Sequence, residues 1–248
     1  MKDRIPRKFR TLVRDMVVLS SGKRSYEFFG ESDANDPSIT GLEEKEVVNW
    51  LVQDKSTREF IFNDIINIKE DYFYATELQD SILTQESQKL IGDVDCLLVP
   101  KSSPQHAIAI EFKRIKVATT KSGNTKVNRL DYNRKKGIKQ AKILRELGFH
   151  NTYLGIIIED DGRFTNEKNS IFKTSKGDRV NDIFRITIDP KMDKYVGVIY
   201  ILVNQPTGKN FFMRFNLNVA THKKARPQRQ DEEITNRIKE LLLKTYIL

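Results

Sequence analysis

The sequence predicts an α/β protein: a mixed central sheet flanked by helices, with additional β-strands toward the C-terminus and a terminal helix. Three observations predict it. Apolar runs of strand length recur, among them CLLVP, AIAIEF and YLGIII. Two segments, GLEEKEVVNWLVQDK and NRKKGIKQAKILRELGF, instead carry apolar residues at helical spacing. Turn-forming residues separate the two kinds of segment.

In chain order, residues 1–40 form a basic N-terminal arm with Lys2, Arg4, Arg7, Lys8 and Arg10, a short apolar run at Met16 to Leu19, and room for one strand. The first helix follows, with Thr40 or Ser38 as its cap and Val47, Val48, Leu51 and Val52 as its buried stripe. Glu44 lies on its inward side, while Glu43 and Glu46 face solvent. FIFNDIINI reads equally as helix or strand, and YFYATEL has the aromatic density of a strand. After a hairpin at 92–116 comes KVATTKSGNTKVNRLDYNRKKG, which reads as a basic loop. The next helix buries Ala141, Ile143, Leu144 and Leu147, with Gln140 on the same stripe, and stops at Gly148. Its outer face carries Lys135, Lys139, Lys142 and Arg145. NTYLGIIIED is too apolar for a half-exposed strand, which places it centrally in a sheet covered on both faces. DIFRITID, KYVGVIYILVN and KNFFMRFNLNV read as three more strands, making 161–220 a β-rich extension of the domain at 41–160. Residues 221–248 comprise the basic THKKARPQRQ and an amphipathic helix with Ile234, Ile238, Leu241, Leu242 and Leu243 on its apolar side. That helix is expected to dock on its own domain or to form a homodimer contact.

The chain of 248 residues carries 43 Lys and Arg against 34 Asp and Glu, a net charge of +9 that favours an acidic partner such as nucleic acid. A single cysteine, Cys96, excludes an internal disulfide and fits an inert core thiol in a reducing, cytoplasmic compartment. His106, His150 and His222 lack zinc spacing. The sequence shows neither a signal peptide nor an apolar run long enough for a membrane span.

The hairpin carries charge where core residues are expected. Asp93 and Asp95 share one face of its first arm, Glu111 and Lys113 one face of its second. A turn centred on Ser103 sets Asp95 opposite Glu111 and Asp93 opposite Lys113. Carboxylates held this close are reconciled by raised pKa values, a salt bridge or a hard cation. Asp95 and Glu111 supply oxygen ligands suited to Mg²⁺ or Mn²⁺, the Phe112 backbone carbonyl adds another, and Lys113 is placed to orient or deprotonate a water. Aimed at phosphorus, that water makes a phosphodiesterase. The plainer readings are a Lys113 that only forms a salt bridge, Gln140 as a satisfied core amide, and Glu44 as a first-turn acid favoured by the helix dipole.

GDVD, then IEFK on the next strand, then a helix carrying Gln140 and an apolar strand resemble the PD-(D/E)xK nuclease superfamily over about residues 40–160. Val94 stands where the motif has proline. The resemblance implies a restriction-endonuclease-like core of a helix, three strands, a helix and a fourth strand. It implies a Mg²⁺-dependent nuclease, expected to be a DNA endonuclease, with Asp95, Glu111 and Lys113 catalytic. By the same resemblance Glu44 is the acidic residue that many members carry on the first helix, and Gln140 the polar residue on the helix after ExK. Asp93 is auxiliary or competes for the aspartate role. Basic surfaces for the DNA backbone are expected at Lys121, Lys126, Arg129, Lys135, Lys139, Lys223 and Lys224. The alternative is a non-catalytic nucleic-acid-binding or assembly module on the same fold.

Overall fold

The computed structural model describes residues 24–28, 43–79, 93–119, 125–161, 182–205 and 213–246. They form an α/β fold around one mixed sheet of eight strands. The strands are β1 (Arg24–Phe28), β2 (Tyr72–Leu78), β3 (Val94–Pro100), β4 (Ile108–Thr119), β5 (Thr125–Asn128), β6 (Asn151–Asp161), β7 (Gly197–Gln205) and β8 (Met213–Lys223). Their spatial order is β1-β8-β7-β6-β4-β3-β2, with β5 also paired to β4. β4, β6 and β7 run parallel, and the outer pairings are antiparallel. The additional C-terminal strands therefore widen the same sheet, and the N-terminal arm contributes its strand to the edge beside β8.

Two layers of helix cover the sheet. On one face lie α1 (Glu44–Gln53) and α2 (Lys55–Arg58), which runs on as a π-helical turn, Glu59–Ile65. The expected stripe of Val47, Val48, Leu51 and Val52 packs there against Ile108, Ile110 and Phe112 of β4 and Ile157 of β6. The position before α1 is held by Glu43, whose N–H donates to Glu46 Oε2 at 2.5 Å; Thr40 and Ser38 lie outside the described residues. FIFNDIINI resolves as helix, because Phe60, Ile61, Phe62 and Ile65 all reach this core. Each such side chain contributes roughly 1.5–3 kcal/mol of burial.

The opposite face is covered by α3 (Leu130–Glu146) and α4 (Glu232–Tyr246). α3 packs through Leu130, Ile138 and Ala141 onto Ile115 and Val117 of β4, and Gly148 ends it with φ 91°. Ile143 and Leu147, expected inward, are only half-buried, since the helix presents Gly137, Ile138 and Gln140 to the sheet instead. α4 docks on its own chain through Ile234 and Ile238, whereas Leu243 is exposed. Asp231 Oδ1 accepts the N–H groups of Glu233 and Ile234 at the start of α4, and Gln230 Oε1 accepts the Ala107 N–H, tying its entry to the hairpin tip. β6 is central, with both faces covered as expected. Cys96 is fully buried, and burial pushes its thiol pKa upward.

Three expectations are corrected. DIFRITID is helical, ending in the 3₁₀ turn Arg185–Ile188, because Ile183, Phe184 and Ile186 reach the same core from a turn and not from a strand edge. The segment read as a basic loop is a hairpin of β4 and β5 running directly into α3. The basic C-terminal segment begins inside β8, where Lys223 pairs with Val198. Among the described residues no helix is long and apolar enough to cross a membrane.

Candidate active site

β3 and β4 pair as Cys96 with Ile110, Leu97 with Ala109 and Leu98 with Ile108, the register of a turn centred on Ser103. The ladder stops one step before Asp95 meets Glu111. Along the same edge of β4, pairing resumes with β5 at Lys116 and Asn128. Side chains occupy the interval. The Phe112 N–H donates to Asp95 Oδ2 at 2.5 Å and the Arg114 N–H to Glu44 Oε2 at 2.7 Å. Lys113 Nζ donates to the Phe112 carbonyl and Asn133 Nδ2 to the Arg114 carbonyl, both at 2.5 Å. Backbone groups left unpaired in the interior are costly. Two carboxylates, a lysine and an amide therefore replace a strand, and they hold the sheet open at this point.

Lys113 is the hub of the opening. Its Nζ lies 2.5 Å from Glu111 Oε1, 3.3 Å from Glu44 Oε1 and 3.7 Å from Asp95 Oδ2. The expected partnership with Asp93 is overturned: Asp93 is exposed, and the three ion pairs of Lys113 go to other acids. With the ladder ended at Cys96, cross-strand opposition no longer sets contacts, and the first residue of α1 reaches Lys113 instead.

The acids outnumber the lysine; Glu111 is out of water and Asp95 is half-buried. Glu111 is 1% exposed. Burial, reinforced by Asp95 and only partly offset by Lys113, pushes its carboxyl up to about 8. Burial likewise raises Asp95 to about 6, against the pull of Lys113 and the Phe112 N–H. For Lys113 burial works against the ammonium, but Glu111, Asp95 and Glu44 outweigh it and hold the pKa above that of an ordinary lysine. An all-oxygen donor set with surplus negative charge suits a hard divalent cation. Among the described residues no group of three or more His, Cys, Asp or Glu forms a ready metal cage. Asp95, Glu111 and the Phe112 carbonyl, with Glu44 beside them, are the oxygen atoms that could be offered to one, and Lys113 Nζ now occupies the Phe112 carbonyl and Glu111.

α3 closes the opening from behind. A Cβ on Gly137 would lie 2.8 Å from Lys113 Cγ and 3.0 Å from Leu154 Cδ1. Gly137→Ala is therefore expected to lose about 1–3 kcal/mol to overpacking, outweighing the gain in helix propensity of about 1 kcal/mol. Because Lys113 is fixed at its far end by three acids, the clash also displaces its ammonium. A thermal melt checks the packing loss, and the NMR signal of the Lys113 ammonium its displacement; a variant more stable than wild type would show that the stem has room to move.

Gln140 is buried on the inward face of α3, three residues beyond Gly137. Of the basic residues, Lys135 and Lys139 are exposed on the outer face of α3, Arg129 is exposed at its start with φ 51°, and Lys224 is exposed beyond β8, where Lys223 is half-buried. Lys126 lies on β5, and Lys121 lies outside the described residues. Two acids escaped sequence reasoning. Glu77 has φ 52° where β2 skips a pair facing Asp95, and burial, with Asp93 and Glu44, raises its carboxyl. Strand propensity in YFYATEL conceals it. Glu159 is fully buried on the other face of the sheet, 3.6 Å from Arg114, and burial pushes it up to about 8. A cleft of about 550 Å³ lies elsewhere, between His106, His150 and the start of α4, and contains none of these acids. No protein-family model, curated protein or solved structure matches the chain.

Proposed function

We propose that this chain is a Mg²⁺- or Mn²⁺-dependent nuclease of the PD-(D/E)xK type, an endonuclease hydrolysing phosphodiester bonds in DNA. The observation that carries the reading is the opened edge of β4, where Asp95, Glu111 and Lys113 converge although the sheet itself does not pair them. The element order α1, β2, β3, β4, α3, β6, interrupted by α2 with its π-helical turn after α1 and by β5 after β4, supports a restriction-endonuclease-like core. A divalent cation held by Asp95, Glu111 and the Phe112 carbonyl, with Glu44 as a further donor, would neutralise the charge that develops on the phosphate oxygens. In the metal-free chain Glu111, Asp95 and Glu44 hold the Lys113 pKa above that of an ordinary lysine, and Lys113 would orient the attacking water or steady a phosphate oxygen. Glu44 positions Lys113 by tying the start of α1 to the Arg114 N–H.

The test is cleavage of plasmid and single-stranded DNA with Mg²⁺, with EDTA, and by Asp95→Ala. Activity is expected only in the wild type with metal, and the variant is expected to fall by at least about a hundredfold. Asp95→Ala cutting at the wild-type rate would sink the assignment. The competing reading, a non-catalytic nucleic-acid-binding module, is favoured by one feature: Lys113 already satisfies part of the acid set. It requires salt-dependent DNA binding without turnover and no heat of Mn²⁺ binding.

A further inference from the structure

Tyr195 lies 37% exposed in the turn before β7, and three cations converge on its ring. Lys194 Nζ is 4.9 Å from the ring centroid, Arg145 Cζ 5.3 Å and Arg226 Cζ 5.8 Å. Like charges gathered this closely repel one another, and among the described residues none of the three forms an ion pair with a carboxylate. Asp193 instead accepts the Tyr195 N–H at 2.8 Å.

The arrangement is tied together by the backbone. The Arg226 N–H donates to the Tyr195 carbonyl at 2.9 Å, and Arg145 Nη1 donates to the Arg226 carbonyl at 3.4 Å. Three chain segments, the end of α3, the turn before β7 and the stretch after β8, thus each deliver one cation to one ring. Cation–π attraction holds long side chains in place without neutralising them, so the charge stays available to an anion.

We infer that Tyr195, Arg145, Lys194 and Arg226 form a phosphate clamp for the DNA backbone, at the C-terminal end of the exposed lysine stripe of α3. This rests on the nucleic-acid reading of the candidate active site. Lys135, Lys139 and Lys142 are exposed at spacings of four and three, which makes one stripe along the helix. Gly137, against Lys113, and Arg145 are eight residues apart on α3, about 12 Å along its axis. Phosphate contacts of this kind give affinity and register, and carry no base specificity.

Binding of a fluorescein-labelled DNA duplex in EDTA, titrated across a salt series, tests the clamp. For Arg145→Ala/Lys194→Ala/Arg226→Ala the slope of log affinity against log salt is expected to fall by about 2–3, and affinity at about 0.1 M salt by about a hundredfold. Tyr195→Leu keeps the charges but releases them, so a several-fold loss with an unchanged slope is expected. A triple variant with the wild-type slope overturns the clamp, as does a wild type that fails to bind DNA at low salt. Loss of binding only to phosphatidylserine vesicles, with DNA binding intact, would assign the patch to a membrane surface and overturn it equally. The nuclease reading fails separately: cleavage that ignores Asp95→Ala sinks that reading, while a reduced salt slope would still uphold the clamp.

Discussion

Under the proposed nuclease function, Lys113→Ala is expected to lose DNA cleavage by about a thousandfold or more. The residue is 4% exposed and lies within ion-pair distance of Glu111, Glu44 and Asp95, so no other described cation can take its place among them. Removing one partner of a buried charge set leaves the others uncompensated, at a cost of about 3–5 kcal/mol. Proton uptake by Glu111 limits that cost, because burial already pushes its carboxyl well above the ordinary carboxylate range. The Ala variant also vacates the space that the lysine stem fills against Gly137. Lys113→Met separates the two effects: its unbranched stem keeps the packing and only the charge is lost. Both variants are expected to lose cleavage, and the Met variant is expected to melt closer to wild type. A folded Lys113→Met protein that cuts within tenfold of wild type would remove Lys113 from the mechanism.

The second large effect is on pH dependence. Glu111 has an ordinary pKa of 4.5 and a folded value of about 8; Glu159 shows the same displacement, and Asp95 moves from 3.8 to about 6. Between those limits the folded chain holds protons that the unfolded chain has released, so stability falls as pH rises. The contribution is fully present below the ordinary carboxylate range and is lost by about pH 8. One pH unit of displacement is worth about 1.4 kcal/mol, so the share of Glu111 is at most about 5 kcal/mol. Metal-free protein should therefore melt higher at about pH 5 than at about pH 8.5. Mg²⁺ should reverse part of the loss, and more strongly at high pH, because protons no longer compete for the carboxylates. Glu111→Gln should flatten the profile and abolish the Mg²⁺ response, whereas Glu159→Gln should flatten it and keep that response. A melting temperature that rises across this range without metal, identically in wild type and Glu111→Gln, would refute the buried-carboxylate account.

What could be read from the residues was whatever depends on local period. Alternation in the two hairpin arms put Glu111 and Lys113 on one face, and the turn chemistry around Ser103 set a register that the structure keeps from Leu98–Ile108 to Cys96–Ile110 and abandons before the expected Asp95–Glu111 and Asp93–Lys113 pairs. Helical spacing likewise located the buried stripe of α1 and the inward place of Gln140. DIFRITID failed the same method: a short run of alternating apolar residues satisfies strand and turn alike, and only the core it meets decides. Glu159 was hidden for a related reason, since an acid at the end of an apolar strand carries no local mark of the arginine across the sheet that pairs with it.

The amino-acid sequence alone therefore determined which charged residues share a face of the hairpin arms and which apolar residues of α1 are buried. Tertiary structure decided where the hairpin ladder ends, that Asp95 and Glu44 take the backbone N–H groups of β4 in place of a neighbouring strand, and that Lys113 meets Glu44 across 69 residues and not Asp93. The division follows from range. Side-chain direction is a property of a few consecutive residues, whereas the end of a ladder depends on what competes for the next backbone group, and here the competitor arrives on a separate helix.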